Sequence, residues 1–144
     1  MTSVRSILQA KGNQVISVTP ETLVSAALEL MAEKNVGALV VTKDGTLTGI
    51  FSERDFARKT VLHGRGALDS TVKELMTSVV FTVTPEQSIE ECMSAMTAKR
   101  IRHLPVFEND KLIGVISIGD VVKAIISEQG HLIQHLENYI SGAR

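Results

Sequence analysis

Residues 15–59 align with residues 80–124 at a constant offset of 65 positions and without a gap. A self-similarity of this length constrains the fold before any element is assigned, because each copy must form the same supersecondary unit. The identities include Val18/Val83, Thr19/Thr84, Pro20/Pro85, Glu21/Glu86, Met31/Met96, Lys34/Lys99, Leu47/Leu112, Gly49/Gly114, Ser52/Ser117 and Asp55/Asp120. Most other aligned positions keep their polarity.

Each copy reads as βαββα. A short β-branched strand (Val15 to Val18; Val80 to Val83) runs into Thr-Pro-Glu, where Thr is expected to cap and Pro to open a helix. In that helix Leu23, Ala27, Leu30 and Met31, answered by Ile89, Met93, Met96 and Arg100, carry the three-to-four spacing of one buried stripe. A hairpin follows, Leu39 to Thr42 with Leu47 to Phe51 around Asp44-Gly45, and Leu104 to Phe107 with Leu112 to Ser117 around Asn109-Asp110. A second helix starts near Ser52 or Ser117. Residues 63–66 read as a basic loop, residues 70–76 as a short helix leading into the second copy, and Ser3 to Leu8 as its counterpart. The expected architecture is α+β: two repeats with helices on one face of each sheet, packed with pseudo-twofold symmetry. In chain order the first repeat with its N-terminal helix takes residues 1–62, a linker takes 63–70, and the second repeat takes 71–144.

One copy of about 60 residues is marginal alone, so the two are expected to pack together, and clefts between equivalent halves commonly hold small ligands. Beyond Asp120 the apolar pattern continues through Ile125, Ile126, Leu132, Ile133, Leu136 and Ile140, where the first repeat has no equivalent. A stripe left over after a small core is filled suggests a second subunit, that is, a homodimer, with packing over the chain's own sheet as the alternative.

Bulk properties remove several classes. The net charge of −1 and 3% aromatic content supply neither the field nor the stacking platform of a nucleic-acid binder. No apolar run reaches a membrane span and the N-terminus lacks a signal-peptide pattern. Cys92, the single cysteine, suits a reducing compartment as a small buried hydrophobe, so a cytoplasmic location is expected. No Ser-His-Asp or Cys-His set, metal cluster or distinguishable catalytic carboxylate pair stands out, so neither enzymatic activity nor a catalytic cofactor is expected. His131 and His135 have the spacing of two metal ligands but lack a recognisable third, and no metal is expected.

The informative motif occurs twice, as Gly49-Ile50-Phe51-Ser52-Glu53-Arg54-Asp55 and Gly114-Val115-Ile116-Ser117-Ile118-Gly119-Asp120. Between strand and helix, a Ser hydroxyl and free backbone N–H groups suit an anionic phosphate, and an Asp one turn in can accept from a ribose diol. Ser-x-x-Asp is equally a variant capping box that only satisfies helix donors. Duplication copies a cap as faithfully as a site, so the motif leaves both readings open.

Together with the Arg102-His103-Leu104-Pro105-Val106 run and the two Thr-Pro-Glu helices, these motifs resemble the tandem CBS-domain family, or Bateman modules, of the standalone bacterial type, over nearly the whole chain. The resemblance implies regulatory binding of AMP, ADP, ATP, NAD(H) or a related adenosyl ligand in two clefts between the repeats, read by a separate partner protein. It assigns Ser52 with Asp55, and Ser117 with Asp120, to phosphate and ribose. It places adenine against Val15, Ile16, Val36 and Ala38 or against Val80, Phe81 and Ile101, each cleft joining one repeat's wall to the other's Ser and Asp. The copies differ where phosphate is read, with Arg102-His103 against Gly37-Ala38 and Arg54 against Gly119. Two unequal sites follow, the Ser117/Asp120 site being better equipped. The competing reading is a ligand-free dimerisation adaptor whose Ser-x-x-Asp pairs are caps.

Overall fold

The computed structural model describes residues 2–141, with backbone alone at residues 63–65. Its elements in chain order are α1 (Val4–Lys11), β1 (Ser17–Val18), α2 (Val24–Lys34), β2 (Ala38–Lys43), β3 (Thr46–Ser52), α3 (Glu53–His63), a 3₁₀ turn (Gly64–Asp69), α4 (Val72–Leu75), α5 (Ile89–Lys99), β4 (His103–Glu108), β5 (Lys111–Ser117) and α6 (Ile118–Ser141). The basic loop expected at 63–66 is therefore helical backbone. Packing gathers these elements into two compact units, Gln14–Phe81 and Met1–Asn13 with Thr82–Arg144.

In the Gln14–Phe81 unit, β1 pairs parallel with β2, and β2 antiparallel with β3. Asp44 and Gly45, at φ 52° and 80°, make the tight turn with two left-handed residues whose twist matches a hairpin. Val24, Ala27 and Met31 of α2 close over Leu39, Val41 and Phe51 of the sheet, and Val72 and Leu75 of α4 complete this core. In the other unit Ile89, Cys92 and Met96 of α5 cover Leu104, Val106 and Ile116, and Val4, Ile7 and Leu8 of α1 complete it. Burial pushes the Cys92 thiol up to about 11, as a small apolar-sited cysteine should behave.

The repeat thus survives in three dimensions, with three corrections to local detail. First, Thr-Pro-Glu does not open a helix. Thr19 to Thr22 form a turn closed by the Thr22 N–H on the Thr19 carbonyl (3.1 Å), and Thr84 to Gln87 form its copy (3.2 Å). The helices start at Val24 and Ile89, the second behind a capping box between Ser88 and Glu91. The turn persists because its carbonyls serve another helix: Pro20 and Thr22 accept from Lys73 and Val72 N–H (2.9 and 2.8 Å), and Pro85 and Gln87 from Arg5 and Val4 N–H (2.9 Å each). These are the donors that a helix start leaves without an internal partner.

Second, the strand expected at Val80 to Val83 shrinks to a single parallel bridge, Val83 to Val106. In the first copy the Val40 N–H donates to the Ile16 carbonyl (3.2 Å). The residue aligned with Val40 is Pro105, which has no N–H to give, so the ladder cannot extend toward residue 81.

Third, the lead-in helices do not pack in chain order. α1 precedes the first repeat but packs with the strands of the second, and α4 precedes the second but packs with the strands of the first. The chain-order boundaries at 62 and 71 therefore separate each lead-in helix from the core it fills.

Candidate functional site

Each Gly-to-Asp motif spans the last residues of a strand and the first turn of a helix, β3 into α3 and β5 into α6. The first function of each glycine is spatial. A Cβ on Gly49 would lie 2.7 Å from Met76 Sδ and 2.8 Å from the Thr77 carbonyl oxygen, and one on Gly114 would lie 2.7 Å from Leu8 Cδ2. Both glycines admit the end of a lead-in segment against the strand, and neither has the positive φ of a phosphate-loop turn.

Ser and Asp at both junctions form reciprocal caps. The Ser52 N–H donates to Asp55 Oδ2 (2.9 Å) while the Asp55 N–H donates to Ser52 Oγ (3.1 Å). Ser117 and Asp120 repeat this at 2.8 and 3.1 Å. Each carboxylate has a further partner. Asp55 Oδ1 accepts from Thr77 Oγ1 (2.9 Å) and faces Lys59 Nζ at 3.6 Å. Asp120 Oδ2 accepts from Lys11 Nζ (2.6 Å), which also donates to the Val115 carbonyl (3.0 Å).

Burial alone would raise the Asp120 carboxyl, but the Lys11 hydrogen bond, the Ser117 N–H and the Lys11 charge outweigh it and hold it below the ordinary value. A carboxyl depressed in the folded state stabilises fully above its unfolded value, about 3.9, and loses that contribution as pH falls through the folded value. Asp120→Asn is accordingly expected to flatten the acid limb of stability below about pH 4, measured by denaturant unfolding between neutral pH and pH 2.5 (about one and a half pH units below the ordinary carboxyl value). An unchanged acid limb would remove Asp120 from acid stability.

Strand pairing sets the start of one hairpin strand against each motif: Ala38 faces Ser52, and His103 faces Ser117. The carbonyls one residue earlier hold the helix start, Gly37 accepting from the Glu53 N–H (3.0 Å) and Arg102 from the Ile118 N–H (2.8 Å). Within the Gln14–Phe81 unit the fold therefore gathers Ser52, Arg54, Asp55 and Ala38, with Val36 two residues upstream. In the other unit it gathers Ser117, Asp120, Arg102 and His103, with Ile101 alongside.

Of the expected adenine walls, Ile16 and Val36 are half-buried against the core of their own unit, and Val15 is half-buried just before β1. Ile101 is half-buried against the other core. Val80 is half-buried, whereas Phe81 is 38% exposed at the end of the Gln14–Phe81 unit.

Two contacts were not legible in the motif. Lys11 and Thr77 both reach the Asp carboxylates, yet both lie outside the aligned segments 15–59 and 80–124, in the lead-in stretches whose packing crosses the repeats. A cavity of about 330 Å³ opens between α1 and α6, lined by Ser6, Lys11, Asp120, Lys123, Ser127 and His131 among others. His135 is exposed one turn beyond His131, and among the described residues no three His, Cys, Asp or Glu side chains group as for a metal. No helix among the described residues is long and apolar enough to cross a membrane.

Two units, each built on an antiparallel hairpin that ends in a capped strand-to-helix junction, define the class as a tandem-repeat α+β fold. The CBS domain model matches residues 4–61 and 72–127, and the chain belongs to the CBS-domain family. It is similar to the mitochondrial CBS domain-containing protein CBSX3 of Arabidopsis thaliana, 39% identical over 150 aligned positions that cover 98% of this chain and 73% of the relative. A solved Burkholderia ambifaria protein with CBS domains is 49% identical, covers 89% of this chain and 96% of its own, and superposes with a TM-score of 0.85. The CBS domain pair of protein MJ0100, solved in complex with 5′-methylthioadenosine and S-adenosyl-L-methionine, shares the fold at a TM-score of 0.78 and 20% identity, covering 89% of this chain and 98% of its own.

Proposed function

We propose that this chain is a non-catalytic, cytoplasmic sensing module that binds AMP, ADP, ATP or NAD(H) and reports occupancy to a separate protein as a homodimer. The observation that carries the reading is the pair of intact Gly-to-Asp junctions, each with a Ser and an Asp at the positive start of a helix, which favours an anionic phosphate, while the Asp carboxylate can accept from a ribose diol. The adenosyl ligands of MJ0100 support the ligand class. Arg102 and His103, beside Ser117, make that junction the stronger phosphate site, since each charge-assisted contact contributes about 1.5–3 kcal/mol.

A ligand-free adaptor is the second reading, and the reciprocal caps favour it, because both Asp carboxylates have partners without any nucleotide. Calorimetry with AMP, ATP, NAD and NADH separates the two. The sensing reading expects binding by at least one of them with Kd below about 1 mM. It also expects Asp120→Ala or Arg102→Ala to weaken one site by about 1.5–3 kcal/mol while the Ser52/Asp55 site keeps its affinity. The adaptor reading expects no heat from any of the four, and a stability loss of about 0.5–2 kcal/mol on removing either Asp.

A further inference from the structure

α6 continues well past the repeat to Ser141, and its sides have different occupants. Ile118, Val121, Ala124 and Ile125 pack on the core of their own unit. Ser127, Glu128 and His131 line the cavity against α1. A third side carries Val122, Ile126, Gln129, Ile133, Leu136 and Ile140, spaced alternately four and three residues apart. The five apolar members of that seam are 41%, 65%, 57%, 50% and 83% exposed in order. Spacing of this kind keeps one seam continuous when two helices wind around each other, with Ile at every a position and Val, Gln and Leu at d.

We infer that this seam is the homodimer interface, two copies of α6 lying antiparallel and crossing near Gly130. The inference deepens the homodimer reading above and rests on it. Antiparallel pairing closes the whole seam: Val122 meets the partner's Ile140, Ile126 the partner's Leu136, and Gln129 the partner's Ile133. The flanks select this direction. On one side Lys123 comes opposite the partner's Glu137, and by symmetry Glu137 opposite the partner's Lys123. On the other side Leu132 meets the partner's Leu132, both apolar. A parallel pairing would instead set Lys123 against the partner's Ile118 and Glu137 against the partner's Leu132, leaving both charges opposite apolar side chains.

Gly130 fits the same geometry. A glycine in a helix interior weakens the helix, and a Cβ there would meet nothing within 4 Å in its own chain. Packing within the chain gives no reason for its smallness, whereas the close pass of a second helix at the crossing point does.

The test uses the full chain in sedimentation velocity and in nitroxide distance measurement. Wild type is expected to be dimeric, Ile133→Glu to weaken the dimer on the order of 100-fold, and His135→Glu, on the polar side, to leave it unchanged. With Glu137→Cys labelled and Cys92 buried, antiparallel helices put the two labels about 20–30 Å apart, at 1.5 Å of rise per residue, against about 10 Å for parallel helices. A dimer insensitive to Ile133→Glu overturns the inference while the homodimer reading stands, and a monomeric wild type overturns both. A label distance near 10 Å, or dissociation by His135→Glu as well, also overturns it. Nucleotide titration of Ile133→Glu, expected to match wild type, keeps these outcomes apart from failure of the sensing reading.

Discussion

Leu8→Ala and Leu75→Ala are each expected to cost about 2–5 kcal/mol, and each should loosen the repeat that chain order does not assign to it. Leu8 is 8% exposed and Leu75 fully buried, and both fill cores built from strands far away in the chain. Leu8 precedes the first repeat but packs with Val106, Ile116 and Val121, while Leu75 leads into the second repeat but packs with Leu39, Val41 and Phe51. Truncation removes contact area and leaves a cavity whose lining relaxes only partly. Amide hydrogen exchange resolves the location: Leu8→Ala should speed exchange first in β4 and β5, Leu75→Ala first in β2 and β3. The reverse assignment would mean that the cores follow chain order and that the exchange of lead-in helices is not the folded arrangement.

That exchange marks the boundary of what the sequence made legible. The hairpins were readable because Asp44-Gly45 and Asn109-Asp110 encode their turns locally, and the α2 and α5 stripes because helical period is a local property. The Ser-x-x-Asp junctions were readable for the same reason. Thr-Pro-Glu misled because its local signal is a helix start, yet its carbonyls are taken by Val72 and Lys73 in one copy and by Val4 and Arg5 in the other. No window of sequence contains both halves of that bond set. The second β1 equivalent was lost to one residue, Pro105, whose effect appears only when it is aligned with the donating Val40. At the site, Lys11 and Thr77 escaped because the partners of the Asp carboxylates come from segments that the repeat alignment does not cover. Local chemistry was legible, and chemistry assembled across the chain was not.

The glycine of each Gly-to-Asp motif meets a packing requirement, and the two copies meet it against different atoms. Gly49→Ala is expected to destabilise the chain by about 1–3 kcal/mol, the usual cost of overfilling a packed site, and Gly114→Ala by no more than about 1 kcal/mol. At Gly49 the new methyl would meet the Thr77 carbonyl oxygen at 2.8 Å. That atom accepts from the Ile50 N–H (2.9 Å), so it cannot retreat without giving up a hydrogen bond. At Gly114 the obstacle is the methyl end of Leu8, which can turn about its own side-chain torsions. Denaturant midpoints at constant slope give the comparison directly. If the glycines instead kept a phosphate approach open, both substitutions would abolish nucleotide binding alike and leave stability nearly equal. Unequal stability with nucleotide affinity retained would assign the glycines to packing.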